Sequence, residues 1–264
     1  PLPHSKNDFI HSMKAPDSLS SRLRPPVSAI AAYDYPSARL CDEAGIQIIL
    51  VGDSLGMVVA GNPDTTSVTL EQMIYHTAMV RRGVKTAIVV SDFPINTYRT
   101  PAETVINGQR LVSAGADAVK LEGLTEQLPN VEALVSAGIQ VCAHVGMLPQ
   151  RVVEEGGYKK KGRTDAEAQD LINASIALEK AGAFAIVLES VVAQVAAEIS
   201  RCLTIPTIGI GSGSDCDGQI RVLPDVTGGY PWFVPPFARV YGNVAEVTRE
   251  ALKSYIHEID NSLI

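Results

Sequence analysis

The sequence predicts a (β/α)8 barrel, an α/β fold in which eight parallel strands each lead into a helix. Three observations point there. Short apolar runs alternate with helical patterns seven or eight times, with no break in composition. One phrase, a residue followed by Ala-Gly and then an apolar run, recurs four times: Glu43-Ala44-Gly45-Ile46, Ser113-Ala114-Gly115-Ala116, Ser136-Ala137-Gly138-Ile139 and Lys180-Ala181-Gly182-Ala183. The chain has 264 residues, close to the ~250 typical of one such barrel. A doubly wound open sheet is the alternative, and length and unit count favour the barrel.

Residues 1 to about 25 are polar and irregular and read as an arm or a short packing helix. After Pro25-Pro26 the alternation begins. Strands are expected at 28–33, 46–51, 87–91, 116–121, 139–143, 183–188 and 205–210, with a weaker eighth at 219–223. The runs are continuously apolar because a parallel barrel strand is buried on both faces. Helices are expected between most of them, at 36–44, 70–83, 101–114, 165–181 and 191–202, with a terminal helix at 244–260. Glycine recurs where helix gives way to strand because the position just past a helix favours the left-handed conformation. A single domain spanning 1–264 is the expectation.

Composition narrows the function. Apolar residues make up 46% of the chain, enough for a large core. A net charge of −7 argues against nucleic acid, which calls for basic stripes. No apolar run reaches the ~20 residues of a membrane span, and the first residues hold no apolar stretch of a secretory leader. Cys41, Cys142, Cys202 and Cys216 have no CxxC spacing. Cys216 lies in a Gly/Ser/Asp loop, and the other three read as buried thiols. A cytoplasmic location is expected.

The chemistry gathers at strand ends. Asp53, Asp92, Glu122 and Glu189 each close an apolar run. In a barrel those ends converge on one mouth, where several acids suggest a divalent metal and a general base. Alone, Asp53 and Asp92 read as turn or helix-capping aspartates; from neighbouring strands they also suit a hard cation such as Mg2+. Lys120 and Glu122 share a strand face. They are either a salt-bridged pair or a cation and a metal-shell carboxylate aimed inward. Glu189 is either a helix cap or a base whose pKa rises by partial desolvation. His144 ends the fifth strand, as a structural imidazole or a hydrogen-bond donor to substrate or a metal-bound group. The histidines are far apart and carry no zinc spacing. The glycine-rich stretch 209–219 is favoured as a tight barrel loop needing positive φ over a phosphate cradle.

Longer motifs carry a resemblance. Ala32-Tyr33-Asp34-Tyr35-Pro36, Val51-Gly52-Asp53-Ser54-Leu55-Gly56-Met57, Val119-Lys120-Leu121-Glu122-Gly123, Ala143-His144-Val145-Gly146, Gly156-Gly157-Tyr158 with Gly162-Arg163-Thr164, Gly182-Ala183-Phe184-Ala185 with Leu188-Glu189, and Ile208-Gly209-Ile210-Gly211 with Asp215-Cys216-Asp217-Gly218-Gln219 appear in order. Together they resemble the ketopantoate hydroxymethyltransferase family. The resemblance implies a barrel of the phosphoenolpyruvate mutase/isocitrate lyase superfamily type. It implies transfer of a one-carbon unit from 5,10-methylenetetrahydrofolate to 3-methyl-2-oxobutanoate, giving 2-dehydropantoate, in pantothenate biosynthesis. It implies Mg2+ at Asp53, Asp92 and Glu122, keto-acid contacts from Asp53, Ser54, Asp92 and Lys120, Glu189 as proton acceptor, and a homo-oligomeric ring of the decamer type. The chemistry of the residues agrees. A metal on the keto and carboxylate oxygens would acidify C3–H, Lys120 would neutralise anionic charge and Glu189 would take the proton.

The chain departs from the family pattern in places. Phe93-Pro94-Ile95-Asn96-Thr97-Tyr98 stands where the family has Met/Leu-Pro-Phe-Gly-Ser-Tyr. Ala32 replaces a threonine, Pro224 a histidine, and the stretch 226–236 is unusual. Two rival readings follow: another C–C lyase or aldolase, with Lys120 able to form a Schiff base, and a non-catalytic paralogue.

Overall fold

The computed structural model describes residues 18–262. Eight parallel strands close into a barrel in chain order: β1 Val27–Ala31, β2 Ile48–Val51, β3 Ile88–Asp92, β4 Ala118–Glu122, β5 Gln140–Gly146, β6 Ala185–Glu189, β7 Thr207–Ile210 and β8 Gly218–Val222. The weakest predicted strand, β8, closes the ring, pairing with β1 from Val27↔Gly218 to Ala31↔Val222. The helices are α1 Tyr35–Glu43, α2 Leu55–Val58, α3 Leu70–Gly83, α4 Pro101–Ser113, α5 Leu128–Ser136, α6 Asp165–Lys180, α7 Ala193–Cys202, α8 Leu223–Thr227 and α9 Val244–Ser262. The single turns α2 and α8 are additions to the expected pattern.

Several strands start two residues later than their apolar runs, and the reason is local. Ile46, Ala116, Ile139 and Ala183 each donate their backbone N–H five residues back, to Cys41, Leu111, Leu134 and Leu178. These are Schellman closures, with Gly45, Gly115, Gly138 and Gly182 at positive φ. The first apolar residue after each glycine therefore belongs to the helix cap. Helix starts are equally explicit: Asp34, Thr69, Thr100 and Thr164 each accept a bond from the third residue on.

The rim where the strands begin is held by carboxylates. Asp42 accepts from the backbone of Lys85, Thr86 and Ala87. Asp117 takes Val89 N and pairs with Arg81. Glu179 takes Thr204 N and Ile205 N, and Asp217 takes Thr207 N. Residues 1–17 of the expected arm lie outside the described residues. Residues 18–25 sit on this same rim: Leu19–Arg22 form a 3-10 turn, Leu23 is buried, and the Gln47 amide bonds Arg24 N and Arg24 O.

The expected terminal helix is present as α9, but none of its described residues is buried. Val247, Leu252, Tyr255, Ile256 and Ile259 are exposed, as are Trp232, Phe233 and Tyr241 before it. Cys41 and Cys142 are buried as expected, whereas Cys202 is exposed because it ends α7. No helix among the described residues is long and apolar enough to cross a membrane.

Candidate active site

The strand ends bring the singled-out side chains together through a continuous set of contacts. Asp53 follows β2, and its backbone N–H donates to Asp92 Oδ2 at 3.1 Å. Asp92 ends β3, and its Oδ1 lies 2.7 Å from Lys120 Nζ. Lys120 thus pairs across the sheet with its register partner Asp92, rather than with Glu122 on its own strand. Glu122 ends β4 opposite His144 of β5, with Oε1 3.5 Å from Nδ1. The other imidazole nitrogen, Nε2, lies 3.4 Å from Glu189 Oε2. Ser54 Oγ is 2.8 Å from the Tyr33 hydroxyl. Asp53 caps no helix, and Glu189 precedes α7 by several residues, so neither serves as an N-cap.

Sequence reasoning missed Gln150. It is buried in a 3-10 turn, Pro149–Arg151, just past β5. Its Nε2 donates to Asp53 Oδ2 and to Phe93 O, both at 2.8 Å. Its Oε1 accepts from Tyr98 Oη at 2.6 Å, and its backbone N–H reaches Glu122 Oε2 at 3.2 Å. The available signal was a polar residue ending the apolar stretch Met147-Leu148-Pro149 beyond a strand end.

The electrostatics follow from burial. Asp53, Asp92, Lys120, Glu122 and His144 are all buried. Desolvation and the neighbouring Asp92 push Asp53 up to about 7. Desolvation also raises Asp92, against the pull of Lys120, and lifts Glu122 well above the usual carboxylate range. Glu189 rises to about 8, chiefly by desolvation, with Lys120 opposing and Asp53 adding. Burial alone would lower Lys120, but Asp92, Glu122 and Asp53 outweigh it and hold the ammonium charged. Burial and the Lys120 charge hold His144 well below its usual pKa. A neutral imidazole has one donor and one acceptor. Glu122 and Glu189 are its two neighbours at 3.5 and 3.4 Å, yet among the described residues neither imidazole nitrogen makes a hydrogen bond, and both are left buried without a partner.

Backbone details fix the position of Glu189. Ser190, directly after Glu189, sits at φ 48, a costly conformation for a non-glycine residue. It is held there by Ser190 N to Ile210 O and Lys161 N to Ser190 O. Gly146 pairs with Glu189 at φ 103, and a Cβ there would strike Glu189 O. The loop 209–219 is a tight turn: Gly211 and Gly213 take positive φ, and Ser212 Oγ donates to Leu188 O. In the altered loop, Asn96 occupies the place of the family glycine at φ 68. Asparagine is among the few other residues that tolerate this region.

Could this constellation hold a cation? Three buried carboxylates face one buried ammonium, and desolvation raises all three acids. Such an excess of uncompensated oxygen donors fits a hard divalent ion. Among the described residues no three His, Cys, Asp or Glu side chains form a ready-made metal cage. An ion of the Mg2+ kind needs none, since it takes one or two carboxylates and completes its octahedron with water and substrate oxygens.

Fold and mouth together define a class: a closed (β/α)8 barrel with buried acids gathered at the ends of its strands. Phosphonopyruvate hydrolase, solved with oxalate and Mg++, superposes with TM-score 0.60 at 17% identity, covering 93% of this chain and 86% of that one. 2,3-Dimethylmalate lyase, itself a PEP mutase/isocitrate lyase superfamily member, gives 0.59 at 16%, covering 92% and 85%. At this distance the likeness speaks for the fold.

Sequence comparison goes further. The profile of ketopantoate hydroxymethyltransferase matches residues 17–263. The 3-methyl-2-oxobutanoate hydroxymethyltransferase of Pyrobaculum aerophilum is 51% identical over 235 residues, 89% of each chain. That of Acetivibrio thermocellus is 49% identical over 239 residues, 90% of this chain and 84% of the relative. That of Enterococcus faecalis is 48% identical over 246 residues, 92% and 90%. The chain belongs to the ketopantoate hydroxymethyltransferase family and is an enzyme of the hydroxymethyltransferase class.

Proposed function

We propose that this enzyme moves a hydroxymethyl group from 5,10-methylenetetrahydrofolate to C3 of 3-methyl-2-oxobutanoate, giving 2-dehydropantoate for pantothenate synthesis. Family membership supports the substrates. The observation that carries the chemistry is the meeting of two groups, Asp53–Asp92–Lys120 and Glu122–His144–Glu189, joined by Gln150, which bonds both Asp53 and Glu122.

Asp53, Asp92 and Glu122 are the residues that would hold Mg2+. When bound there, the cation supplies Lewis-acid polarisation of the keto acid. The protein's own groups do the rest. Lys120, fixed by Asp92, sets a permanent positive charge where the acid's carboxylate or developing oxyanion lies. Ser54, braced by Tyr33, offers a hydroxyl on the same wall. Glu189 takes the C3 proton, and a pKa near neutrality suits a general base. His144 stands between Glu189 and Glu122, with both ring nitrogens free to bond a substrate or metal-bound group. The C3 carbon then bonds to the folate's methylene carbon, both carbon–nitrogen bonds of that methylene break, water supplies the hydroxyl oxygen, and the nitrogens leave protonated as tetrahydrofolate.

For the folate we assign the groove beside the mouth. It measures about 480 Å3 and is lined by Met57, Val58, Leu223, Pro224, Tyr230 and Trp232 among others. Tyr230 and Trp232 stand edge to face 5.1 Å apart, an apolar setting for a flat pterin. The exposed apolar face of α9 supports assembly into a homo-oligomeric ring. The reduced cysteines suit the cytoplasm.

The Schiff-base alternative is disfavoured, because a lysine held charged by Asp92 is a poor nucleophile. The test is C3–H exchange of 3-methyl-2-oxobutanoate in D2O, followed by NMR with and without Mg2+, then product formation on adding the folate. Exchange that survives EDTA, or borohydride trapping on Lys120, would overturn the proposal.

A further inference from the structure

The altered loop 93–98 and the turn after β5 meet at one side chain, Gln150. Its amide is fully used. Both nitrogen-bound hydrogens go to acceptors, Asp53 Oδ2 and Phe93 O. The amide oxygen takes the Tyr98 proton. The orientation is therefore unambiguous: turned over, the carbonyl would face a carboxylate and a carbonyl at 2.8 Å. The main chain of the same residue donates to Glu122 Oε2. One buried residue thus ties down an oxygen on each of two acids from non-adjacent strands.

Tyr98 is itself anchored. Asn130 Nδ2 donates to Tyr98 O at 2.7 Å, and the Tyr98 ring lies 5.8 Å from that of Phe93. Asn107 Nδ2 holds Thr97 O at 2.7 Å. The helices α4 and α5 thereby fix the loop, the loop fixes the tyrosine, and the tyrosine fixes the amide.

We infer that Gln150 is a positioning residue, oriented by Tyr98, that occupies one oxygen each of Asp53 and Glu122 and so fixes both carboxylates for a bound divalent cation. The inference rests on the metal reading above. An acid held by an outer hydrogen bond loses less freedom on binding a cation. Removing such partners typically weakens metal binding about 10–100-fold.

The test is direct cation binding, with no turnover required. Mn2+ serves as the probe, titrated by EPR into the metal-free full chain as wild type, Gln150→Met, Tyr98→Phe and the double variant. Thermal melts confirm that each is folded. Gln150→Met is expected to weaken Mn2+ binding at least about tenfold, and Tyr98→Phe several-fold. In the double variant, most of the Tyr98→Phe loss should vanish, because the hydroxyl acts chiefly through the amide at 2.6 Å, its contact with Glu122 O being longer at 3.4 Å. Unchanged affinity in Gln150→Met, or losses that multiply in the double variant, would overturn the inference while leaving the metal reading intact. If Gln150→Met does not fold, Tyr98→Phe decides alone: it fills the same space beside Phe93, and unchanged affinity would overturn the inference. A wild type that takes up no Mn2+ would remove the metal reading and this inference with it.

Discussion

Replacing Glu189 by glutamine isolates the proposed base. The substitution keeps the side chain's size and its neighbour His144, 3.4 Å away, and removes only proton affinity. With the carboxyl raised to about 8, roughly a tenth of wild-type molecules carry the ionised base at pH 7, and about a hundredth at pH 6. The rate of C3–H exchange should therefore rise about tenfold per pH unit and level off near 8. A divalent cation on Asp53 and Asp92 favours the ionised form and moves that plateau lower. The glutamine variant should lose about 100- to 10,000-fold of the exchange rate, equivalent to roughly 3–5 kcal/mol of barrier, and should show no rise with pH. NMR of the keto acid in D2O reads both. A glutamine variant retaining more than a tenth of wild-type exchange, or a wild-type profile flat from pH 5 to 9, would refute the assignment.

Other outcomes follow from single contacts. Asp42→Ala removes three backbone acceptor bonds at the strand-start rim and should cost about 1–2 kcal/mol in urea melts. Burial would raise Asp42, but the bonds from Ala87, Thr86 and Lys85 outweigh it and bring the pKa to about 2. Its contribution is therefore complete above the unfolded value near 4 and is lost as pH falls through about 2, so the gap to the alanine variant should close in acid. Gly146→Ala should cost at least about 2 kcal/mol, from its positive φ and the clash with Glu189 O; a thermal melt unchanged from wild type would contradict the fitted geometry. Trp232→Ala should raise the KM for the folate while leaving keto-acid exchange untouched, and equal loss of both would remove the folate from that groove. Ile256→Asp, on the exposed face of α9, should lower the mass seen by analytical ultracentrifugation.

The architecture was legible because it is repetitive and local. Four helix-ending glycines and eight apolar runs were enough for the barrel. The Schellman closures explain why the strands themselves begin later than the runs. The convergence of Asp53, Asp92, Glu122 and Glu189 was legible too, since each lies at the end of a strand and barrel geometry brings such ends together. The pairing among them was not. Lys120 turned to Asp92 across the sheet because register, which no single strand reveals, sets those residues side by side. Gln150 and Tyr98 were invisible as partners: both lie in irregular segments, 52 residues apart, with no periodicity to announce them. The fate of α9 was equally hidden. Its sequence announced a terminal helix, and only the tertiary structure shows that none of its described residues is buried.

The four carboxylate clamps at Asp42, Asp117, Glu179 and Asp217 imply a division of labour between the two rims. The starts of β3 and β7 are locked by side-chain carboxylates that accept from the backbone and involve no reacting group. The opposite end carries less of the duty to hold the fold. That freedom accounts for a tolerated Asn96 and an idiosyncratic stretch at 226–236 on an otherwise ordinary scaffold. Selection can rewrite the reactive rim one turn at a time without renegotiating the staves beneath it.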